Sequence, residues 1–215
     1  MAISEPATLL TDYVLGALAG FLAWRMVSLK ANIATRYWAL ALAAIAGASF
    51  AGGTYHGFAP AMSPSAAASL WKTTTLAMGL ASFCLTASAI GAAFHGSTRR
   101  LLLSAAAIKL TIYAWWMLRH DAFLYVICDY GSALLFVLIL VAANRLHGEA
   151  GHRASIGGGI LVSAVAAVMQ QSGIRMHRHF NHNDLMHVIQ MGGVWLLYRG
   201  GSRLRDAGEP HGGQS

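Results

Sequence analysis

Apolar residues fall in seven long runs, at about 12–28, 38–58, 68–94, 99–118, 122–146, 154–175 and 182–199, with short polar stretches between them. Roughly 17–25 apolar residues cross a hydrocarbon core as a helix, whereas barrel strands are shorter and alternate in polarity. None of these runs alternates. The pattern predicts an all-α fold, a seven-transmembrane-helix bundle forming one domain over residues 1–200. A polar, glycine-rich tail over 201–215 is expected to be disordered. The first run is too long for a cleaved leader and lacks a small-residue exit, so it is counted as a helix.

Composition agrees with the pattern. Hydrophobic residues make up 56% and charged residues 11%, with mean hydropathy +0.53, which excludes an ordinary soluble domain. The basic residues predict orientation, because Lys and Arg gather in loops that stay cytoplasmic. Arg25, Lys30, Arg36, Arg99, Arg100, Arg145, Arg153, Arg199, Arg203 and Arg205 fall on one side; only Arg119, Arg175 and Arg178 fall on the other. The N-terminus is therefore expected outside and the C-terminus in the cytoplasm, in a bacterial inner membrane. The net charge of +7 is thereby explained by topology, so membrane lipids are expected around the protein and no nucleic acid. Cys84 and Cys128 lie within apolar runs without paired spacing and are expected to be small buried residues.

With that topology, polar groups converge at the outer end. His56 closes the second run, and His182, Asn183, Asp184 and His187 open the seventh. Trp71 and Lys72 start the third, Asp129 lies about two turns into the fifth, and Gln170 and Gln171 end the sixth. Ionisable residues are costly in a membrane and usually mark a site. On a helix His187 shares a face with Asn183, Asp184 and Gln190, whereas His182 points about 140° away unless the first turn is irregular, as an Asn181 or Asn183 cap would allow. Zinc accepts imidazole nitrogen and carboxylate oxygen, so His56 and His187 with either His182 or Asp184 form a candidate ligand set. Asp129 would then take a proton, with Lys72, Asn183 or Ser49 stabilising an oxyanion. The competing expectations are an ion pair of Lys109 with Asp129, and Lys72 paired with Asp184 or a lipid phosphate. His177 and His179 are expected to be exposed in a basic loop.

This arrangement resembles the alkaline ceramidase and adiponectin-receptor superfamily. His182–Val188 is similar to that group's seventh-helix HxxxH motif, and His56 matches its second-helix histidine. The resemblance implies a zinc-dependent hydrolase acting on a lipid-like amide or ester, with His56 and His187 as ligands. Several positions depart from it: Asn183 holds the first histidine's register, and Gly52 stands for the second-helix serine, with Ser49 nearby. Trp71-Lys72 replaces the third-helix aspartate, and the Asp129-Tyr130-Gly131 stretch resembles a DY motif moved to helix 5. The missing serine and aspartate favour a second reading, a non-catalytic receptor or binding protein for a lipid-like small molecule with a structural metal or polar network. Facing histidines also admit a haem protein. A retinal protein is disfavoured, since the seventh run has no lysine.

Overall fold

The computed structural model describes residues 3–28, 32–173 and 180–208. His177, His179, Arg175, Arg178 and residues 209–215 lie outside them. Among the described residues seven α-helices follow one another: α1 (Pro6–Val27), α2 (Ile33–Phe58), α3 (Pro64–Ala93), α4 (Gly96–Met117), α5 (Phe123–Ala142), α6 (His152–Gln171) and α7 (His182–Gly201). Each corresponds to one apolar run, but most begin earlier than hydropathy alone suggests. Proline occupies the first turn of α1 and α3, where its missing N–H costs nothing. Asn32 caps α2 by accepting from Thr35 N, and Ser63 caps α3 by accepting from Ala66 N.

Five of the helices, α1, α2, α3, α5 and α6, are long and apolar enough to cross a membrane by length and composition. The remaining two carry polar loads: Arg99, Arg100 and Lys109 on α4, and the His182–Asp184 start of α7.

Six helices close a ring in which α1 packs on α2, α2 on α3, α3 on α5, α6 on α7, and α7 back on α1. The α5–α6 contact is the sparsest link, and α4 stands outside the ring against α3. Lys109 fastens α4 there: its ammonium lies 2.8 Å from Asp129 Oδ1 on α5 and donates to Ser82 Oγ on α3 (3.0 Å) and to Asp129 O (3.1 Å). Asp129 is mostly shielded (10% exposed) and Lys109 half-buried (39%), so breaking the pair on one side leaves the other charge poorly compensated. Asp129→Asn is therefore expected to lower the thermal midpoint by several degrees, readable by differential scanning fluorimetry in detergent.

Glycines set the closest approaches. A methyl at Gly200 would lie 2.4 Å from Ile156 Cγ1 and 2.8 Å from the His152 carbonyl, and one at Gly159 would lie 2.9 Å from Leu197 N. α6 and α7 thus touch nearly backbone to backbone, as small residues permit in lipid. Cys84 is buried as expected, but Cys128 is exposed on the outer face of α5, since neighbouring Val126 rather than Cys128 turns inward.

The described part of the tail departs from expectation. Residues 202–208 form an ordered strap across the end of the bundle that holds the α2 N-terminus. Glu149 N donates to Arg203 O (2.9 Å), Arg205 N to His147 O (3.0 Å) and Ala207 N to Gly91 O (2.9 Å). Asp206 accepts from Ile33 N (3.1 Å) and Ala34 N (2.8 Å), placing a carboxylate where the α2 N–H groups and helix dipole favour it. Composition signalled a solvated tail because these backbone and cap contacts are non-local. Asp206→Ala is expected to destabilise the fold by about 1 kcal/mol, the usual scale of a lost helix cap, measured by chemical denaturation in mixed micelles.

Candidate functional site

The ring encloses a cavity of about 640 Å³ bounded by α1, α2, α3, α5, α6 and α7. Its lining is mostly apolar, with Leu15, Ile45, Met78, Leu134 and Ile160 among its walls. Polar groups gather toward the end formed by the starts of α1, α5 and α7 and the close of α2: Asp12, His56, Asn183 and His187, with Gln170 and Gln190 beside them. Trp71 also lines that end, packed between Tyr55 (5.0 Å between ring centroids) and Phe123 (5.9 Å), with its indole N–H donating to Asp121 O.

The central feature is a pair that hydropathy reading overlooks. Asp12 of α1 and His187 of α7 are both buried, with Asp12 Oδ1 3.2 Å from His187 Nε2. The other imidazole nitrogen, Nδ1, lies 3.0 Å from Thr11 Oγ1, and that hydroxyl also reaches the Ala7 and Thr8 carbonyls at 3.0 and 3.2 Å. A hydroxyl has one proton to give. If Thr11 gives it to His187, the opposite nitrogen carries the hydrogen toward the Asp12 carboxylate. If Thr11 gives it to a carbonyl, His187 donates from Nδ1, and a further proton must lie between Nε2 and Asp12. The Thr11–His187–Asp12 array can therefore hold or release a proton without rearranging the backbone.

Packing explains how Asp12 gets there. A methyl at Gly53 would stand 2.8 Å from Asp12 Cβ, and Gly52 leaves its own missing side chain 3.7 Å from Asp12 Oδ2. This glycine pair opens α2 so that α1 can present its carboxylate to the cavity. Nearer the surface, His56 Nδ1 lies 3.2 Å from Glu5 Oε2. Ser4 donates to the His56 carbonyl, and its N–H to Gly57 O (3.0 Å), fixing the start of α1 against the end of α2.

The sequence-derived candidates separate into two groups. Ser49, His56, Asn183 and His187 line the cavity together. Lys72, Asp129, His182 and Asp184 are not among its lining residues. Lys72 turns to the α4–α5 connection, 2.7 Å from Asp121 Oδ1 and donating to the Met117 and His120 carbonyls, so it pairs neither with Asp184 nor with the site. Asp129 is the partner of Lys109, which removes it from proton transfer in the cavity. Asp184 accepts from Asn181 N (2.6 Å) in a capping box at the start of α7, while its Oδ1 and His182 Nδ1 are buried without a partner among the described residues.

The zinc set of His56, His187 and either His182 or Asp184 does not assemble in this arrangement. Among the described residues no group of three or more His, Cys, Asp or Glu side chains is placed to hold a metal ion. Both nitrogens of His187 face protein partners, His56 is turned to Glu5, and Asp184 caps its own helix. As placed, the described side chains do not complete the ligand set that the ceramidase-like resemblance implies.

Fold and cavity together define a helical protein with membrane-length helices around an internal amphipathic pocket. Residues 7–206 match the model of a family of unknown function, DUF6962, and the chain belongs to that family. No curated protein and no solved structure matches it.

Proposed function

We propose that the protein lies in a membrane with all seven helices traversing it, N-terminus outside and C-terminus in the cytoplasm, and that it binds a lipid-like single-chain amphiphile. The observation that carries this reading is the cavity, apolar along most of its length and polar at one end. Ligand sites are mostly apolar clefts of roughly 300–1,000 Å³ with a few placed polar groups, and this one falls within that range. Phe123 and Leu138 both line it, fifteen residues apart on α5, so the cavity follows that helix for roughly 22 Å at about 1.5 Å per residue. That length suits an extended hydrocarbon chain.

The charge of the lining restricts the head group. Among the described residues Asp12 is the one carboxylate of the lining, and no Lys or Arg joins it. A buried anion without a cation partner is strongly disfavoured, so an uncharged or cationic head is preferred, hydrogen-bonded by Asn183, Gln170 and the Asp12–His187 pair.

The test is a thermal-shift series with C16 chains bearing hydroxyl, amine or carboxylate heads. The alcohol and amine should raise the midpoint of wild-type protein, because a ligand that binds only the folded state stabilises it by mass action. Ala167→Phe, which fills the cavity from α6, should abolish the shift. Equal shifts in wild type and Ala167→Phe would refute the reading. Asp129→Asn should bind as wild type does, since Asp129 is not a lining residue.

A second reading, the zinc-dependent hydrolase of lipid-like amides or esters, draws support from one fact: His56 and His187 line the same cavity. Elemental analysis of protein purified without chelators separates the two. One zinc per chain, lost in both His56→Ala and His187→Ala, would favour the hydrolase; metal-free protein that still binds the amphiphile would favour the binding protein.

A further inference from the structure

We propose that the seam between α5 and α6 is a lateral gate through which the amphiphile enters the cavity directly from the surrounding bilayer. The proposal rests on the binding reading above and specifies where the ligand comes from. Around the ring α5 and α6 make the sparsest contact of any neighbouring pair, whereas α6 lies tightly along α7. The cavity is open rather than sealed. Residues at the seam belong both to its lining and to the exposed set: Gly131, Leu135 and Leu138 on α5, and Ala164 on α6.

Two features mark the seam as an opening onto lipid. The residues flanking it are exposed and apolar, Ile139 on α5 and Leu161, Val165 and Val168 on α6, so the mouth faces hydrocarbon rather than water. At the polar end, by contrast, neighbouring helices are tied together: Trp71 packs between Tyr55 and Phe123, and the Ser4–Gly57 hydrogen bond holds α1 to α2. Small side chains, Gly131 on α5 and Ala164 on α6, loosen the seam. A methyl added at Gly131 would meet no atom within 4 Å, so the gap there is open space and not a tight helix crossing. A chain sliding in at Gly131–Leu138 keeps its methylenes in apolar surroundings throughout, and only the head must move toward Asp12, Asn183 and His187. An aqueous route would require the whole chain to be exposed to water first, at about 0.8 kcal/mol per CH₂.

The open space at Gly131 makes the gate testable without crowding the fold. Gly131→Leu and Ala164→Leu each place a bulky apolar side chain in the seam, and leucine at Gly131 also raises helix propensity. Protein in phosphatidylcholine vesicles is given hexadecanol bearing a diazirine on its chain, and cross-linking to cavity residues is followed over time by mass spectrometry. In wild type, label is expected on α5 and α6 lining residues. The double variant Gly131→Leu/Ala164→Leu is expected to label at least tenfold more slowly, and Leu135→Ala, which widens the seam, faster. Leu101→Phe, exposed on α4 outside the ring and away from the seam, should match wild type.

Unchanged labelling rates in both the double variant and Leu135→Ala would overturn the gate while leaving the binding site intact. Absence of label from cavity residues in wild type would overturn the binding reading itself. If the double variant folds poorly, Leu135→Ala alone decides, because a faster rate supports the seam as the route and an unchanged one contradicts it.

Discussion

Replacing His187 with leucine should abolish amphiphile binding and destabilise the protein by about 3 kcal/mol. The scale is that of removing one partner from a buried charged or hydrogen-bonded pair, which leaves the other group desolvated and alone. Asp12 is buried and its contact with His187 is 3.2 Å, with Gly52 and Gly53 holding α1 so close to α2 that the carboxylate has little room to turn toward water. Thr11 keeps its carbonyl partners in the variant, so the loss should fall on Asp12. The double variant Asp12→Asn/His187→Leu tests this attribution. Removing the stranded carboxylate should recover more than half of the lost stability and none of the binding. Chemical denaturation in mixed micelles and the thermal-shift series read the two effects separately.

The second large effect is expected at Gly200. A valine there would drive two methyl groups into the His152 carbonyl and the Ile156 backbone N–H, 2.8 and 2.9 Å from where even its Cβ would stand. Flexible side chains can yield to such contacts, but backbone atoms cannot without separating the helices. Overpacking a tight contact costs about 1–3 kcal/mol, and the upper end applies here because the obstruction is backbone. Displacing α7 from α6 also moves His187 away from Asp12. Gly200→Val should therefore lower stability and weaken binding together, whereas Gly157→Val, where a methyl meets nothing within 4 Å, should do neither. Thermal denaturation and binding measured on the same preparations check the contrast.

The helices were legible because a membrane-length apolar run leaves few alternatives to a helix. Their starts were less so: Pro6, Asn32 and Ser63 set them by capping chemistry that a hydropathy window averages away. At the site, His56, Asn183 and His187 stood out as polar residues at the ends of apolar runs, and all three line the cavity. Asp12 did not stand out. It sits at the edge of the first run, where an acidic residue reads as a boundary, and only the longer α1 turns it into a buried side chain one and a half turns inside a helix. Its signal was the scarcity of acidic residues, eight in the whole chain, with one of them inside the first helix.

Asp184 shows the opposite error. Asn181 followed three residues later by an acid is a capping-box pattern, and the structure uses it as one, whereas proximity to His187 suggested a metal ligand. The Lys109–Asp129 ion pair was legible, because an ammonium inside an apolar run needs a counter-charge and Asp129 on the next run supplies it. Lys72 misled for another reason: its burial depth was readable, but its direction depends on the α4–α5 connection and Asp121, which no local pattern discloses.

An amphiphile held in the cavity with its head at the Asp12–His187 pair is the central element of the proposed function. Native mass spectrometry of the protein, released gently from detergent, tests that most directly. Wild-type protein is expected to carry one co-purified amphiphile per chain, absent from both Ala167→Phe and His187→Leu. Wild-type protein free of any adduct after incubation with hexadecanol and hexadecylamine, or an adduct retained in Ala167→Phe, would contradict it.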